Sequence, residues 1–299
     1  MPQLKVYKEN NELLFDTALI CYGLVKSGNM TFQSYWTRRE LKSSQLDPNN
    51  GANWTVAVAT STMPQGGADP IHGFTVSNAV SPIVFIVGSG CLQGTAKSGD
   101  DLTFYYANAS ASTKFYCFDL MQDNLAGNPY LKTFTSDGVI TFNSLQIPLN
   151  VVSAIEAPVP GAVTYGGRYG TAYVGGSNSV RSSGGAASNP RVDSKVDIEI
   201  SAGIEYAAYL PWSRSAVCWD LLSTSNTAFV YGSSEGAFGR VGGISFLMGA
   251  AAATTESSPA VGGGSGSGPF GQASYANLPT DRYPVALVIR TDNLPFPYN

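Results

Sequence analysis

His72 is the one histidine in 299 residues, so any chemistry that needs an imidazole must use it. Ser234 lies in Gly232-Ser-Ser-Glu-Gly236, which fits the pattern G-x-S-x-G. In a hydrolase elbow that serine sits on a strand-to-helix turn and its histidine follows it in the chain. Here His72 lies far upstream of Ser234 and no helical pattern follows the serine. In a chain with 33 glycines, chance explains the match better than catalysis does. Cys21, Cys91, Cys117 and Cys218 are widely spaced, without a C-x-x-C pair, and give no zinc set. Asp100-Asp101, or Asp193 with Asp197, could offer oxygens to Ca²⁺, but neither resembles an EF-hand loop. A glycosidase needs just two carboxylates a few ångströms apart, and nothing selects a pair among the 21 Asp and Glu residues. No catalytic residue, metal ligand or cofactor is therefore assigned, and the chain is expected not to be an enzyme.

Contact chemistry has a better candidate. Tyr165-Gly-Gly-Arg-Tyr-Gly-Thr-Ala-Tyr173 sets three tyrosines and a guanidinium among small residues. Tyrosine gives rigid, amphipathic contact area at low entropic cost. Tyr165, Arg168, Tyr169 and Tyr173 are the expected receptor-contact residues; the competing reading is that the tyrosines cover a strand edge.

The elements that must position these residues read as strands. Lys195–Ile200 alternates polar and apolar without a break, as a half-buried strand does. Pro82–Val87 and Val285–Ile289 are continuous apolar runs and predict strands buried on both faces. Thr55–Thr60, Leu102–Ala107, Thr227–Tyr231 and Ile244–Met248 are further candidates. Only Thr37–Gln45 has the makings of a helical turn or two. Short strands separated by turn residues predict an all-β chain of two β-sandwich-like modules, with hairpins and long Gly/Ser-rich loops.

Two internal echoes support a two-part plan. Lys5–Thr17 aligns without a gap to Lys132–Ser144 through Lys, an aromatic, a two-residue turn, an aliphatic and Phe-[Asp/Asn]-[Thr/Ser]. Asn10-Asn11 and Asp137-Gly138 fill the same turn slot and tolerate the positive φ of tight hairpins. Cys117-Phe-Asp-Leu-Met121 resembles Cys218-Trp-Asp-Leu-Leu222 in the same order. A boundary at Gly127-Asn128-Pro129 gives an N-terminal module, 1–128, and a C-terminal module, 129–299; Glu156–Pro160 is a rival boundary. The first 50 residues carry charges of both signs, suited to oriented docking against a partner.

Charged residues make up 13% of the chain, about half the roughly 25% of ordinary domains, while apolar content of 43% suffices for a core. The net charge of −4 leaves no footprint for nucleic acid. No stretch reaches the roughly 18 apolar residues of a membrane helix, and the N-terminal residues lack an apolar signal core. Cys117 and Cys218 sit in apolar runs and are expected to be reduced core residues made in a cytoplasm. Residues 221–280 hold three charges, Glu235, Arg240 and Glu256; if exposed, such a surface would associate, so burial between copies is expected there.

The opening hairpin with Asn10-Asn11, its echo with Asp137-Gly138 and Phe142-Asn-Ser144, the charge-poor C-terminal part and the closing Pro284–Pro297 resemble tail-tip, baseplate and tail-fibre proteins of tailed phages. About a sixth of the chain carries the resemblance closely. It implies a structural role in tail assembly and host attachment, with other tail proteins, further copies of the chain (a trimer by analogy with fibres) and a host surface glycan or protein as partners. It further implies a place in the virion tail after assembly in the host cytoplasm, with release by lysis. A tail-associated polysaccharide depolymerase and a non-phage carbohydrate-binding β-sandwich are the alternatives. No catalytic residue comes with the resemblance.

Overall fold

The computed structural model describes residues 5–7, 9, 11, 13–16, 19–37, 39–42, 46–47, 50–56, 69–181, 191–222, 227–252, 255–257 and 273–298. The chain is all-β: apart from two short 3₁₀ turns, at Gly51–Asn53 and Tyr165–Gly167, its regular elements among these residues are strands. Among these residues, no helix is long and apolar enough to cross a membrane.

The continuous apolar runs form strands with both faces covered. In Lys114–Leu120, Phe115 and Cys117 enter one core cluster while Tyr116 and Phe118 enter another. Ile83–Val87 splits the same way, Val84 and Ile86 to one side, Phe85 and Val87 to the other. Val285–Arg290 sends Ala286 and Val288 into a third cluster and Ile289 into that of Phe85. Period-two side-chain alternation makes this unavoidable for a strand between two layers. Full burial of a side chain such as Phe85 or Phe118 contributes roughly 1.5–3 kcal/mol.

A four-stranded antiparallel sheet runs in the order Thr31–Trp36, Asp69–Ser77, Asp101–Ala107, Cys91–Ser98. It packs on a large sheet whose main path is Ser153–Glu156, Val285–Arg290, Tyr206–Tyr209, Ile83–Val87, Thr227–Arg240, Gly243–Ala250, Arg191–Glu199, Ser177–Arg181. Phe74 of the smaller sheet stacks on Phe104 at 5.1 Å and across the interface on Phe115 of the larger sheet at 3.6 Å. Residues on either side of position 128 share clusters: Phe238 and Leu247 join Phe74, Phe104 and Phe115, and Ala207 and Ile289 join Leu24, Phe85 and Phe118. At the rival boundary, Ala157 is buried and its amide donates to Pro284 O at 2.8 Å.

The two echoed segments form hairpins in one register. Lys5 faces Asp16, Val6 faces Phe15 and Tyr7 faces Leu13, with a bulge between Val6 and Tyr7. Lys132 faces Asn143, Thr133 faces Phe142 and Phe134 faces Ile140, with the bulge in the same place. The left-handed turn residue is also matched: Asn11 has φ +64° and Gly138 φ +78°. The last shared residues close the second hairpin, where Asn143 Oδ1 accepts from the Leu145 amide at 3.1 Å and Ser144 Oγ from those of Tyr130 and Leu131 at 2.8 and 3.1 Å. Cys117–Leu120 and Cys218–Leu222 lie within strands, and both cysteines are fully buried thiols outside any disulfide. Burial pushes the Cys117 thiol up to about 12, with the Asp119 charge adding to it and Lys26 opposing.

One sequence expectation is corrected and the ground for another narrows. In Thr37–Gln45 the described residues hold no helix; Arg39–Leu41 is a strand, antiparallel to Trp54–Val56 and parallel to Thr255–Ser257. Pairing to Trp54–Val56 and to the distant Thr255–Ser257 overrides the weak local signal. The charge poverty of 221–280 also has an internal cause. All eight residues of Gly243–Ala250 are buried within the chain, and Glu235 is paired internally. That strand carries no argument for self-association; residues 258–272 of the span lie outside the described residues, as do residues 182–190 of the Gly175–Ser188 loop.

Candidate functional site

Residues 159–174 fold back on themselves as an irregular tongue. Its two limbs are tied by Val174 N to Val159 O at 2.7 Å, Gly161 N to Thr171 O at 3.1 Å, Gly170 N to Ala162 O at 2.9 Å and Thr164 N to Arg168 O at 2.6 Å. The tip turns through Gly166 and Gly167, both left-handed with φ near +74°. Two such residues in a row are easy for glycine and strained for residues bearing a Cβ, which is why the sequence places a Gly-Gly pair there.

The base of the tongue is fixed inside the protein. Tyr169 exchanges two backbone hydrogen bonds with Tyr275, at 2.9 and 2.8 Å. Ala172 N donates to Ser194 Oγ at 2.9 Å. Tyr173 is 0% exposed, and its hydroxyl donates to Glu235 Oε1 at 2.9 Å. Burial and the Glu235 charge raise that phenol well above its ordinary pKa, so it stays a donor. Glu235 also receives Arg214 in a fork, Nη2 to Oε1 at 2.7 Å and Nε to Oε2 at 2.9 Å, and the Arg214 amide at 3.1 Å. Both side chains are wholly buried. The guanidinium lies 5.1 Å from the Tyr283 ring and 5.8 Å from that of Tyr173. A buried pair with every lone pair engaged is costly to break, about 3–5 kcal/mol when one partner is lost.

The structure therefore separates the four candidate contact residues. Tyr173 is a correction: with no solvent-facing surface and its hydroxyl committed, it anchors the tongue and cannot contact a partner. Arg168 and Tyr169 are partly exposed. The Arg168 guanidinium rests 4.5 Å over the Trp219 ring, a cation–π contact of about 0.5–2 kcal/mol. Tyr165 forms the tip with Gly166 and Gly167. Beside them Val163, bridged to Tyr169, is exposed at 64%, and Val174 at the base of the tongue at 53%. A guanidinium held on an indole, in a tongue whose base is tied into the core, is suited to recognition by contact.

Residues considered for chemistry lie elsewhere. Gly232–Gly236 is mid-strand in Thr227–Arg240, not at an elbow, and Ser234 Oγ accepts from Gln93 Nε2 at 2.7 Å. His72 sits in Asp69–Ser77 against Phe32, and burial lowers its pKa, so the ring is neutral at neutral pH. Asp101 accepts from Ser77 Oγ at 2.5 Å, and Asp197 from Ser245 Oγ at 2.6 Å beside Lys195 and Arg240. Among the described residues no three His, Cys, Asp or Glu gather as a metal site would require.

The Arg214–Glu235 pair is the feature that reading the sequence did not reach. Its signal was present: a lone acid within a strand of apolar and small residues must find a cation or stay uncharged. Comparison with protein-family models, with curated proteins and with solved structures gave no match.

Proposed function

We propose that the chain is a structural component of a phage tail tip or fibre that contributes to tail assembly and host-receptor attachment. The observation that carries this reading is an uncovered apolar surface on the second hairpin and its flanks. Tyr130 is 100% exposed, and Leu131, Phe134 and Val139 are each close to half exposed. Leu19 and Ile20 are exposed as well, and Cys21 N donates to Thr141 O at 2.8 Å, which brings that segment to the same hairpin. An apolar run of this kind on a hairpin, where no core needs it, marks an assembly surface. The tongue tip at Tyr165, Arg168 and Tyr169 supplies a second, more polar surface suited to a host glycan or protein.

The division of labour is testable in intact particles. Tyr130→Asp with Phe134→Asp should yield folded protein that fails to enter particles. Arg168→Ser with Tyr169→Ser should assemble normally and adsorb more weakly to host cells. Release of reducing sugar from host surface glycan by the purified protein would instead favour the depolymerase.

A further inference from the structure

A cavity of about 310 Å³ lies where the two halves of the chain meet, lined by Val84, Ile86, Phe104, Tyr106, Leu210 and Pro211 among others. Leu92 and Trp212, 42% and 44% exposed, belong to its lining and place it within reach of solvent. Its one acidic lining residue, Glu235, has its carboxylate wholly engaged by Arg214 and Tyr173. The lining thus offers an incoming molecule no free charge.

It does offer uncommitted neutral groups. Tyr106 is 4% exposed, yet its hydroxyl makes no hydrogen bond to any described residue. Although the ring is buried, the hydroxyl keeps accessible surface in the cavity lining and can donate to a molecule that enters. Burial also pushes this phenol far above its ordinary pKa, so it is a neutral donor throughout the usual pH range. Ser213, exposed in the lining, likewise makes no hydrogen bond to a described residue.

We propose that this cavity binds a small neutral molecule with an apolar body of about one ring and a single hydroxyl or carbonyl oxygen, which takes the Tyr106 hydrogen bond. The cavity lies at the small end of ligand sites, which span roughly 300–1,000 Å³. Anions find no cation in the lining. A sugar would set most of its hydroxyls against Val84, Ile86 and Phe104, where they lose water without replacement. The inference is independent of the reading as a tail protein.

Calorimetric titration of the full chain with benzyl alcohol, toluene and methyl glucoside tests it. Benzyl alcohol should bind saturably, and methyl glucoside should not. Tyr106→Phe should weaken benzyl alcohol about five- to tenfold, the value of one hydrogen bond, and leave toluene unchanged. Ser213→Trp, at an exposed position of the lining, should abolish binding of both and guards against a folding defect in Tyr106→Phe. Absence of saturable benzyl alcohol binding, equal affinity in Tyr106→Phe, or tighter binding of the glucoside overturns the proposal.

Discussion

Glu235 accepts four hydrogen bonds, three from Arg214 and one from Tyr173, in a fully buried setting. Removing either charge leaves the other unpaired in the core. Arg214→Met or Glu235→Gln should each lower stability by about 3–5 kcal/mol, while Arg214→Met with Glu235→Leu should recover much of that loss. Urea midpoints of the three variants at one pH check this. Asp197 gives a pH-dependent counterpart. Burial alone would raise its pKa, but the Ser245 hydroxyl and the Lys195 and Arg240 charges outweigh burial and hold it below the ordinary carboxylate value. A folded pKa below the unfolded one means stability present above the unfolded pKa and lost as pH falls through the folded pKa. Asp197→Asn should therefore melt lower than the parent at neutral pH and approach it in acid. A constant gap between the two melting curves would contradict this. At this scale the sequence was partly legible: Cys117 and Cys218 were readable as core from their apolar neighbours. Tyr173 was not readable as an anchor, because its partner Glu235 lies 62 positions away.

Elements with a local signal were readable and those built from distant pairing were not. The hairpins at 5–16 and 132–143 form in the aligned register because bulge, turn and end pairs are set by neighbours in sequence. In the alternating run Lys195–Ile200, Val196 and Ile198 face the core, while Ile200 lies past the strand end and is exposed. Arg39–Leu41 had no such signal: it is held between Trp54–Val56 and Thr255–Ser257, and the second of these comes from the far part of the chain. The turn geometry gives a direct test. Gly138 has φ +78°, so Gly138→Ala should destabilise the hairpin by about 1 kcal/mol. Asn11, already left-handed at φ +64°, should accept Asn11→Gly with little change. Hydrogen exchange at the Phe134 and Ile140 amides should quicken in the first variant, and unaltered protection there would contradict the turn assignment.

Among the described residues the two larger sheets form one stack of β-layers, in which Ile83–Val87 serves both halves. It pairs with Lys114–Leu120, meets Tyr206–Tyr209 at Ala208 and meets Thr227–Arg240 at Gly239. Residues 129–299 alone would expose the faces of Phe238, Leu247, Ala207 and Ile289 that the first half covers. That fragment should accordingly be insoluble or lack a cooperative transition, whereas a sharp melt would mean that the second half is self-sufficient. On this stack, the apolar hairpin flank and the tongue tip are the surfaces to which the proposal gives a role. The proposal that they serve assembly and attachment in a phage tail is tested most directly by antibody raised against the folded protein. Applied to intact phage particles and viewed by negative-stain electron microscopy, the antibody should decorate the tail end distal to the capsid. Decoration of the capsid, or of no particle although the protein is abundant in the infected lysate, would contradict the account.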